Sequence, residues 1–190
     1  VKEAGVALCN TRDAKAEPYL VRVRNQISLS TTWQLISNHF HRLPEFKGLE
    51  EFEGDASFFN MRGWTRLSKG DVEGAIEDFD RVIEIDSRFA AAYNNRANAR
   101  KARGDLQGAI LDYNKAIELD SKDAIFYVNR STTRSALGDL RGAIEDCDRA
   151  IELDPRCIRA YDFRGVARKA KGDLDGAIED CSKAIELDPK

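Results

Sequence analysis

Two sets of arginines and one set of aspartates recur every 34 residues, and their charges give them the clearest capacity for binding chemistry. A guanidinium group binds a carboxylate through paired hydrogen bonds, so these arginines can pair with the aspartates within or between the repeated units. Alternatively, one arginine set forms a basic stripe for acidic or phosphorylated segments. Like charges stacked once per unit repel one another, which favours neutralisation of at least one set. The sets are Arg62, Arg96, Arg130 and Arg164; Arg66, Arg100, Arg134 and Arg168; and Asp78, Asp112, Asp146 and Asp180.

The spacing of histidines and cysteines does not favour metal binding or catalysis. His39 and His41 lie two residues apart, which on a helix points their side chains about 200° away from each other. The sequence contains no Cys-x-x-Cys pair, and its repeated Gly-Asp marks turns and is not a phosphate-binding loop. We therefore predict no catalytic residue, no metal site and no cofactor.

Cys147 and Cys181 occupy the same position in successive repeated units. One interpretation is that both are small buried apolar residues. The other is a disulfide between neighbouring helices, whose axes lie roughly 8–10 Å apart when packed. The cysteine pattern favours an intracellular, reducing compartment, either the cytoplasm or an organelle interior.

One ten-residue stretch organises the chain and returns at the same interval of 34 residues. Its Gly104 predicts the end of a helix, because glycine readily adopts the left-handed conformation of a C-cap. Asp105 predicts the N-cap of the following helix. Each unit is therefore a predicted helix hairpin, and such hairpins must stack to bury their apolar faces. The copies run from Gly70 to Phe79, Gly104 to Tyr113, Gly138 to Cys147 and Gly172 to Cys181.

The order of residue types in each unit resembles the tetratricopeptide repeat family. The resemblance implies an all-α, right-handed solenoid of four helix-turn-helix repeats over residues 56–89, 90–123, 124–157 and 158–190. The pattern departs from the family at Val82, Cys147 and Cys181. The matching aromatic, small and alanine positions are Phe59, Tyr93, Tyr127 and Tyr161; Gly63, Ala97, Ser131 and Gly165; and Ala75, Ala109, Ala143 and Ala177.

The first helix of each repeat lines the concave groove in this family, which implies a site for a peptide or helix of another protein. Asparagine amides in that groove can hydrogen-bond to the main chain of an extended peptide without reading its sequence. The predicted groove residues are Asn60, Trp64, Asn94, Asn95, Asn98, Lys101, Asn129, Arg159 and Phe163.

Some members of the family clamp the C-terminal carboxylate of heat-shock chaperone tails with basic residues and asparagines. Asn98, Asn129 and Arg159 match three of those positions. Asn94 and Phe163 stand where two basic residues are required. The clamp is incomplete, so the resemblance does not favour binding of a chaperone tail.

Residues 1–55 form an N-terminal segment ahead of the repeats. Apolar residues at spacings of four and three predict an amphipathic helix over about residues 28–43, followed by an acidic connector. This helix either covers the end of the array or docks on a partner through Trp33 and Phe40. At the other end, the last repeat is expected to expose Ile178 and Ile185, which would permit end-to-end self-association.

Composition favours a binding module. The net charge of −3 does not suit a nucleic-acid surface, and no apolar run approaches membrane-spanning length. The favoured function is a non-catalytic scaffold or adaptor that binds other proteins. The alternative is a structural subunit that docks through the N-terminal helix and the C-terminal face. An enzyme with its active site in residues 1–55 is disfavoured, because that segment lacks a nucleophile–base pair.

Overall fold

The computed structural model describes residues 55–189, which form stacked helix hairpins. The first helices of the four hairpins begin at Ala56, Ala90, Ala124 and Ile158, which lie 34 residues apart. Consecutive helices pack against one another along the whole array. The helices are α1 (Ala56–Ser68), α2 (Val72–Ile85), α3 (Ala90–Arg103), α4 (Leu106–Leu119), α5 (Ala124–Ala136), α6 (Leu140–Leu153), α7 (Ile158–Lys171) and α8 (Leu174–Leu187).

The turn within each hairpin follows the predicted capping chemistry. Gly104 has φ of 90°, a left-handed value that lets the chain leave α3 without a Cβ clash. Asp105 then accepts a hydrogen bond from the Gly108 amide at 2.9 Å and so satisfies a free donor at the start of α4. A side chain at Gly108 would collide with that aspartate, which explains the second glycine of the motif.

Small residues allow the helices to approach closely. Ala97, Ala109 and Tyr113 form one cluster between α3 and α4, and all three are fully buried. Val82 replaces an alanine of the family pattern but is also fully buried, because it packs against Phe59 and Ala92. The departure at Val82 is therefore accommodated within the core.

The curvature of the array places the first helices on its inner side. Contacts join α1 to α3, α3 to α5 and α5 to α7, whereas the second helices approach one another less closely. A stack that is tighter on one side curves toward that side. The surface formed by α1, α3, α5 and α7 is therefore the concave one, and we call it the inner surface.

The last helix differs from its counterparts because no following repeat covers it among residues 55–189. Cys147 is buried on α6, but Cys181 is exposed on α8, and both are free thiols. The expectation that both cysteines are buried is therefore wrong for Cys181, and the structure does not join them. The exposed face of α8, which we call the α8 stripe, comprises Leu174, Ile178, Cys181 and Ile185.

The predictions for residues 1–54 lie outside the described residues. They include the amphipathic helix over about residues 28–43, with Trp33 and Phe40, and the connector that follows it.

Candidate functional site

The repeated aspartates bind both repeated arginines of their own hairpin. Asp112 is 4% exposed and accepts hydrogen bonds from Arg96 Nε at 2.9 Å and Arg96 Nη2 at 2.6 Å. Arg100 Nη1 lies 2.9 Å from the other side of the same carboxylate and also donates to the Gly108 carbonyl at 3.3 Å. Two guanidinium groups thus share one buried acceptor and the start of the second helix.

The same arrangement recurs in all four hairpins, and it also links neighbouring hairpins. Arg96 Nη1 donates to Asp80 of the preceding hairpin at 2.6 Å. Burial opposes the charged form of Arg96, but the hydrogen bonds from Asp112 and Asp80 outweigh it and raise its pKa. Equivalent links join Arg130 to Asn114 and Arg164 to Asp148. The remaining clusters are Arg62, Arg66 and Asp78; Arg130, Arg134 and Asp146; and Arg164, Arg168 and Asp180.

The paired interpretation of the arginines is confirmed, and it holds for both sets. The guanidinium groups of the first set also lie over aromatic rings, as Arg96 does over Tyr93 at 5.5 Å. Neither set is free to serve as a basic stripe, because each arginine already contacts a buried carboxylate. The binding chemistry of the array must therefore come from other residues.

Asparagines on the inner surface are connected by hydrogen bonds across the first two hairpins. Asn95 Nδ2 donates to Asn60 Oδ1 at 2.9 Å. Asn95 Oδ1 in turn accepts from Trp64 Nε1 at 3.3 Å and from Asn94 Nδ2 at 3.4 Å. Side chains from α1 and α3 therefore form one polar network.

The network continues to the fourth hairpin. Asn129 Nδ2 donates to Asn94 Oδ1 at 2.9 Å, and Arg159 Nη2 donates to Asn129 Oδ1 at 3.2 Å. Asn94, Asn95 and Asn129 are each at most 8% exposed. Contrary to the sequence-based expectation, their amides are used between repeats and are not free for a peptide main chain.

Asn98 and Lys101 belong to a second polar group, on the same helix but nearer its C-terminal end. Lys101 Nζ donates to Thr132 Oγ1 on α5 at 2.6 Å. Thr132 Oγ1 donates to the Asn129 carbonyl at 2.8 Å. Tyr113 OH donates to Asn98 Oδ1 at 2.6 Å, which leaves the Asn98 amide available at a half-buried position.

Lys101 stands in an electrostatically unfavourable environment. Burial, and secondarily the positive charge of Arg159, lower the pKa of the Lys101 ammonium. Each of the other half-buried lysines and arginines in residues 55–189 has a carboxylate within ion-pair distance, whereas Lys101 has none. Arg159 has no ion pair with any described residue either, and its guanidinium lies 5.6 Å from the Phe163 ring.

Apolar side chains flank this polar centre on the inner helices. Trp64 on α1 is 57% exposed, and Ile125 on α5 and Val166 on α7 are similarly exposed. Phe163 is half-buried and packs against the core of the third hairpin. The inner surface thus combines exposed apolar area with an amide and two cations that have no acidic partner.

Sequence reasoning missed the two hydroxyls that organise this centre. Tyr113 was considered only as a core aromatic, although a tyrosine in that position brings a donor toward α3. Its counterpart Phe79 has no hydroxyl, and that difference was the available signal. Thr132 is recognisable only once α3 and α5 are seen side by side.

Two further searches were restricted to residues 55–189. Within them, no group of three or more histidine, cysteine, aspartate or glutamate side chains is arranged to hold a metal ion. None of the eight described helices has the length and apolar character needed to cross a membrane.

Matches to known families agree with the fold. Models of the tetratricopeptide repeat match residues 63–102, 90–123 and 129–190, which together cover most of the described array. The chain therefore belongs to the tetratricopeptide repeat family. No curated protein matches its sequence significantly.

Solved structures show the same fold in proteins of different roles. A crystal structure of MamA is 28% identical, with 75% of this chain and 84% of that chain covered at a TM-score of 0.69. The first repeat domain of Spaghetti (RPAP3), bound to the HSP90 peptide SRMEEVD, is 25% identical over 62% of this chain and 93% of that chain, with a TM-score of 0.60. MamA from Desulfovibrio magneticus RS-1 is 19% identical over 83% of this chain and 94% of that chain, at a TM-score of 0.69, and shows the fold alone. The fold and these neighbours establish a protein–protein interaction scaffold.

Proposed function

We propose that the array is a non-catalytic scaffold that binds an extended segment of a partner protein along its inner surface. The observation that carries this proposal is the combination of exposed Trp64, Ile125 and Val166 with the polar centre at Asn98 and Lys101. Exposed apolar side chains provide contact area, and the free amide and cations provide orientation. The RPAP3 domain, which was solved with a peptide bound, supports a segment of this kind as the partner.

A site-specific photocrosslinker tests where the partner binds. We would place p-benzoylphenylalanine at Trp64 or at Asn98 and irradiate a lysate of cells that produce the protein. Leu111 on α4 is the matched control, because it is 68% exposed on a second helix. The proposal expects the same partner to be crosslinked from Trp64 and Asn98 but not from Leu111. Crosslinking from Leu111 alone, or no crosslink at the inner positions, would contradict it.

A second function rests on the α8 stripe. Leu174, Ile178 and Ile185 are each at least 59% exposed and lie at helical spacings of four and seven, so they form one apolar face. We propose as the alternative that this face joins two copies of the chain end to end, as part of a larger assembly. The covered counterparts of this face in the interior hairpins show that it suits helix packing.

Sedimentation velocity distinguishes this alternative. Association of the chain at micromolar concentrations should disappear in an Ile178→Glu/Ile185→Glu variant and persist in Leu111→Glu, which adds charge at an equally exposed position. A chain that remains monomeric up to about 100 µM, the range of weak interfaces of some −5.5 kcal/mol, would exclude self-association through this face.

A further inference from the structure

The array treats its partly buried cations in two different ways. Eight arginines contact one of four buried carboxylates, and several also bind backbone carbonyls. Lys101 is also partly buried, but its one hydrogen-bond acceptor among the described residues is the neutral hydroxyl of Thr132. A fold that neutralises every neighbouring buried cation leaves this one charged and uncompensated.

Arg159 adds a second positive charge to the same place. Its charge contributes to the lowered pKa of Lys101 and also acts on Tyr113. Its orientation is fixed from two sides, by the hydrogen bond from Nη2 to Asn129 and by the Phe163 ring beneath the guanidinium. Two like charges held close together raise the free energy of the unbound protein, and an anion between them would lower it.

We propose that Lys101 and Arg159 together bind a carboxylate from an acidic segment of the partner. This inference rests on the proposed function of the inner surface and specifies the chemistry of its ligand. A carboxylate offers two acceptor oxygens and one negative charge, so each cation can receive one hydrogen bond. The Asn98 amide, which has no acceptor among the described residues, lies on the same helix as Lys101 and is available to the same segment.

This site does not coincide with the carboxylate clamp that the family resemblance suggested. Two of the basic positions of that clamp are Asn94 and Phe163 here. Asn94 is 7% exposed and bonded within the asparagine network, and Phe163 lies under Arg159. Lys101 lies outside the clamp positions, so the cation that completes this site comes from the C-terminal half of α3.

The first experiment measures the site without any peptide. Reductive ¹³C-methylation gives each lysine an NMR signal while keeping its charge, and the Lys101→Gln variant assigns the signal of Lys101. Titration with sodium acetate against sodium chloride at equal ionic strength should shift that signal saturably and raise the pKa of Lys101. Lys169 is the matched control, because it occupies the same repeat position as Lys101 on α7 and is exposed. An acetate response equal at both lysines, or a response to inorganic phosphate but not to acetate, would overturn the proposal.

The second experiment measures the acidic segment by fluorescence anisotropy. The probes are fluorescein-labelled SRMEEVD, its C-terminal amide, and the neutral amide SRMQQVN. The wild-type chain should bind the acidic peptide at least tenfold more tightly than the neutral one, and Lys101→Gln or Arg159→Gln should each weaken acidic binding about tenfold, as expected for a lost charge-assisted hydrogen bond. Lys169→Gln removes the same charge and should change binding less than twofold. The amide shows whether a side-chain carboxylate or the chain terminus is bound.

The outcomes separate this inference from the proposed function. If SRMEEVD and SRMQQVN bind equally and Trp64→Ala weakens both, the inner surface binds segments but the carboxylate site is wrong. If acetate perturbs Lys101 selectively while no partner crosslinks to Trp64 or Asn98, the anion site stands and the proposed function is wrong. Binding of the acidic peptide that is unchanged in Lys101→Gln and Arg159→Gln would overturn the inference on its own.

Discussion

The arginine–aspartate clusters and the Lys101 site are both built from first-helix cations, but they stand in opposite electrostatic states. Arg96 contacts Asp112 and Asp80, and its pKa is raised. Lys101, five residues later on the same helix, contacts only a neutral hydroxyl, and its pKa is lowered. The difference indicates which cations stabilise the array and which remain able to bind something else.

Position in the array explains the difference. The arginines point between the two helices of a hairpin, where the second helix supplies a buried aspartate in every repeat. Lys101 instead reaches Thr132 on the next first helix, on the surface where the second helices supply no carboxylate. Charges between helices are used for stability, and charges on the inner surface remain available.

The largest expected effect comes from the clusters. Asp112→Asn removes the negative charge shared by Arg96 and Arg100 at a 4% exposed position, leaving two partly buried guanidinium groups without their main partner. We expect the free energy of unfolding to fall by about 3–5 kcal/mol, measured by urea denaturation. Asp80→Asn is the matched control, because Asp80 also binds Arg96 but is exposed. Its cost should be below about 1 kcal/mol. Equal costs for the two variants would show that the clusters act through long-range charge and not through burial.

A second effect lies at the boundary between the two regions, at Tyr113. Burial raises the pKa of its hydroxyl to about 12. A raised folded-state pKa gives stability that is complete below the ordinary tyrosine value of about 10 and is lost as the pH rises through 12, by roughly 2–3 kcal/mol. Urea denaturation from pH 8 to 12 should show this loss in the wild-type chain and a shallower loss in Tyr113→Phe. Identical pH profiles would mean that the hydroxyl is not buried in the folded protein.

The third prediction has the opposite sign. Lys101→Met removes a cation that burial and Arg159 both disfavour, and it keeps the aliphatic stem. We expect the free energy of unfolding at pH 7 to rise by about 1 kcal/mol, as measured by urea denaturation. Because the pKa of Lys101 is lowered in the folded state, this advantage should shrink as the pH rises from below that value toward the ordinary lysine value of about 10.4. Arg96→Met is the comparison variant and should destabilise. A destabilised Lys101→Met chain would show that the Thr132 hydrogen bond outweighs the charge.

The sequence predicted those features that the local pattern determines. The 34-residue period gave the helix starts, the Gly104–Asp105 turn and the pairing of Arg96 with Asp112, which lie in one hairpin and 16 residues apart. These depend on the geometry of two helices joined by one short turn. That geometry is nearly identical in every repeat.

The sequence did not predict features that depend on the neighbouring hairpin. Cys147 and Cys181 have the same local sequence, yet only Cys147 is covered by a following repeat. The hydrogen bond between Asn129 and Asn94 joins residues 35 positions apart, so it depends on the angle between hairpins. The missing carboxylate near Lys101 has the same origin, because an absent partner is visible only when all surrounding helices are in place.

The smallest prediction tests whether exposure alone separates strong charge pairs from weak ones. Arg141 and Glu145 form an ion pair of 2.9 Å on the surface of α6, where the arginine side chain is 82% exposed. Arg141→Gln should change the free energy of unfolding by less than about 0.5 kcal/mol, because solvent and salt screen the pair. Urea denaturation at 50 mM and 500 mM NaCl should show little difference for this variant. A cost near that of Asp112→Asn would mean that every ion pair in the array contributes alike, and the distinction between the clusters and Lys101 would then have to rest on the aspartates alone.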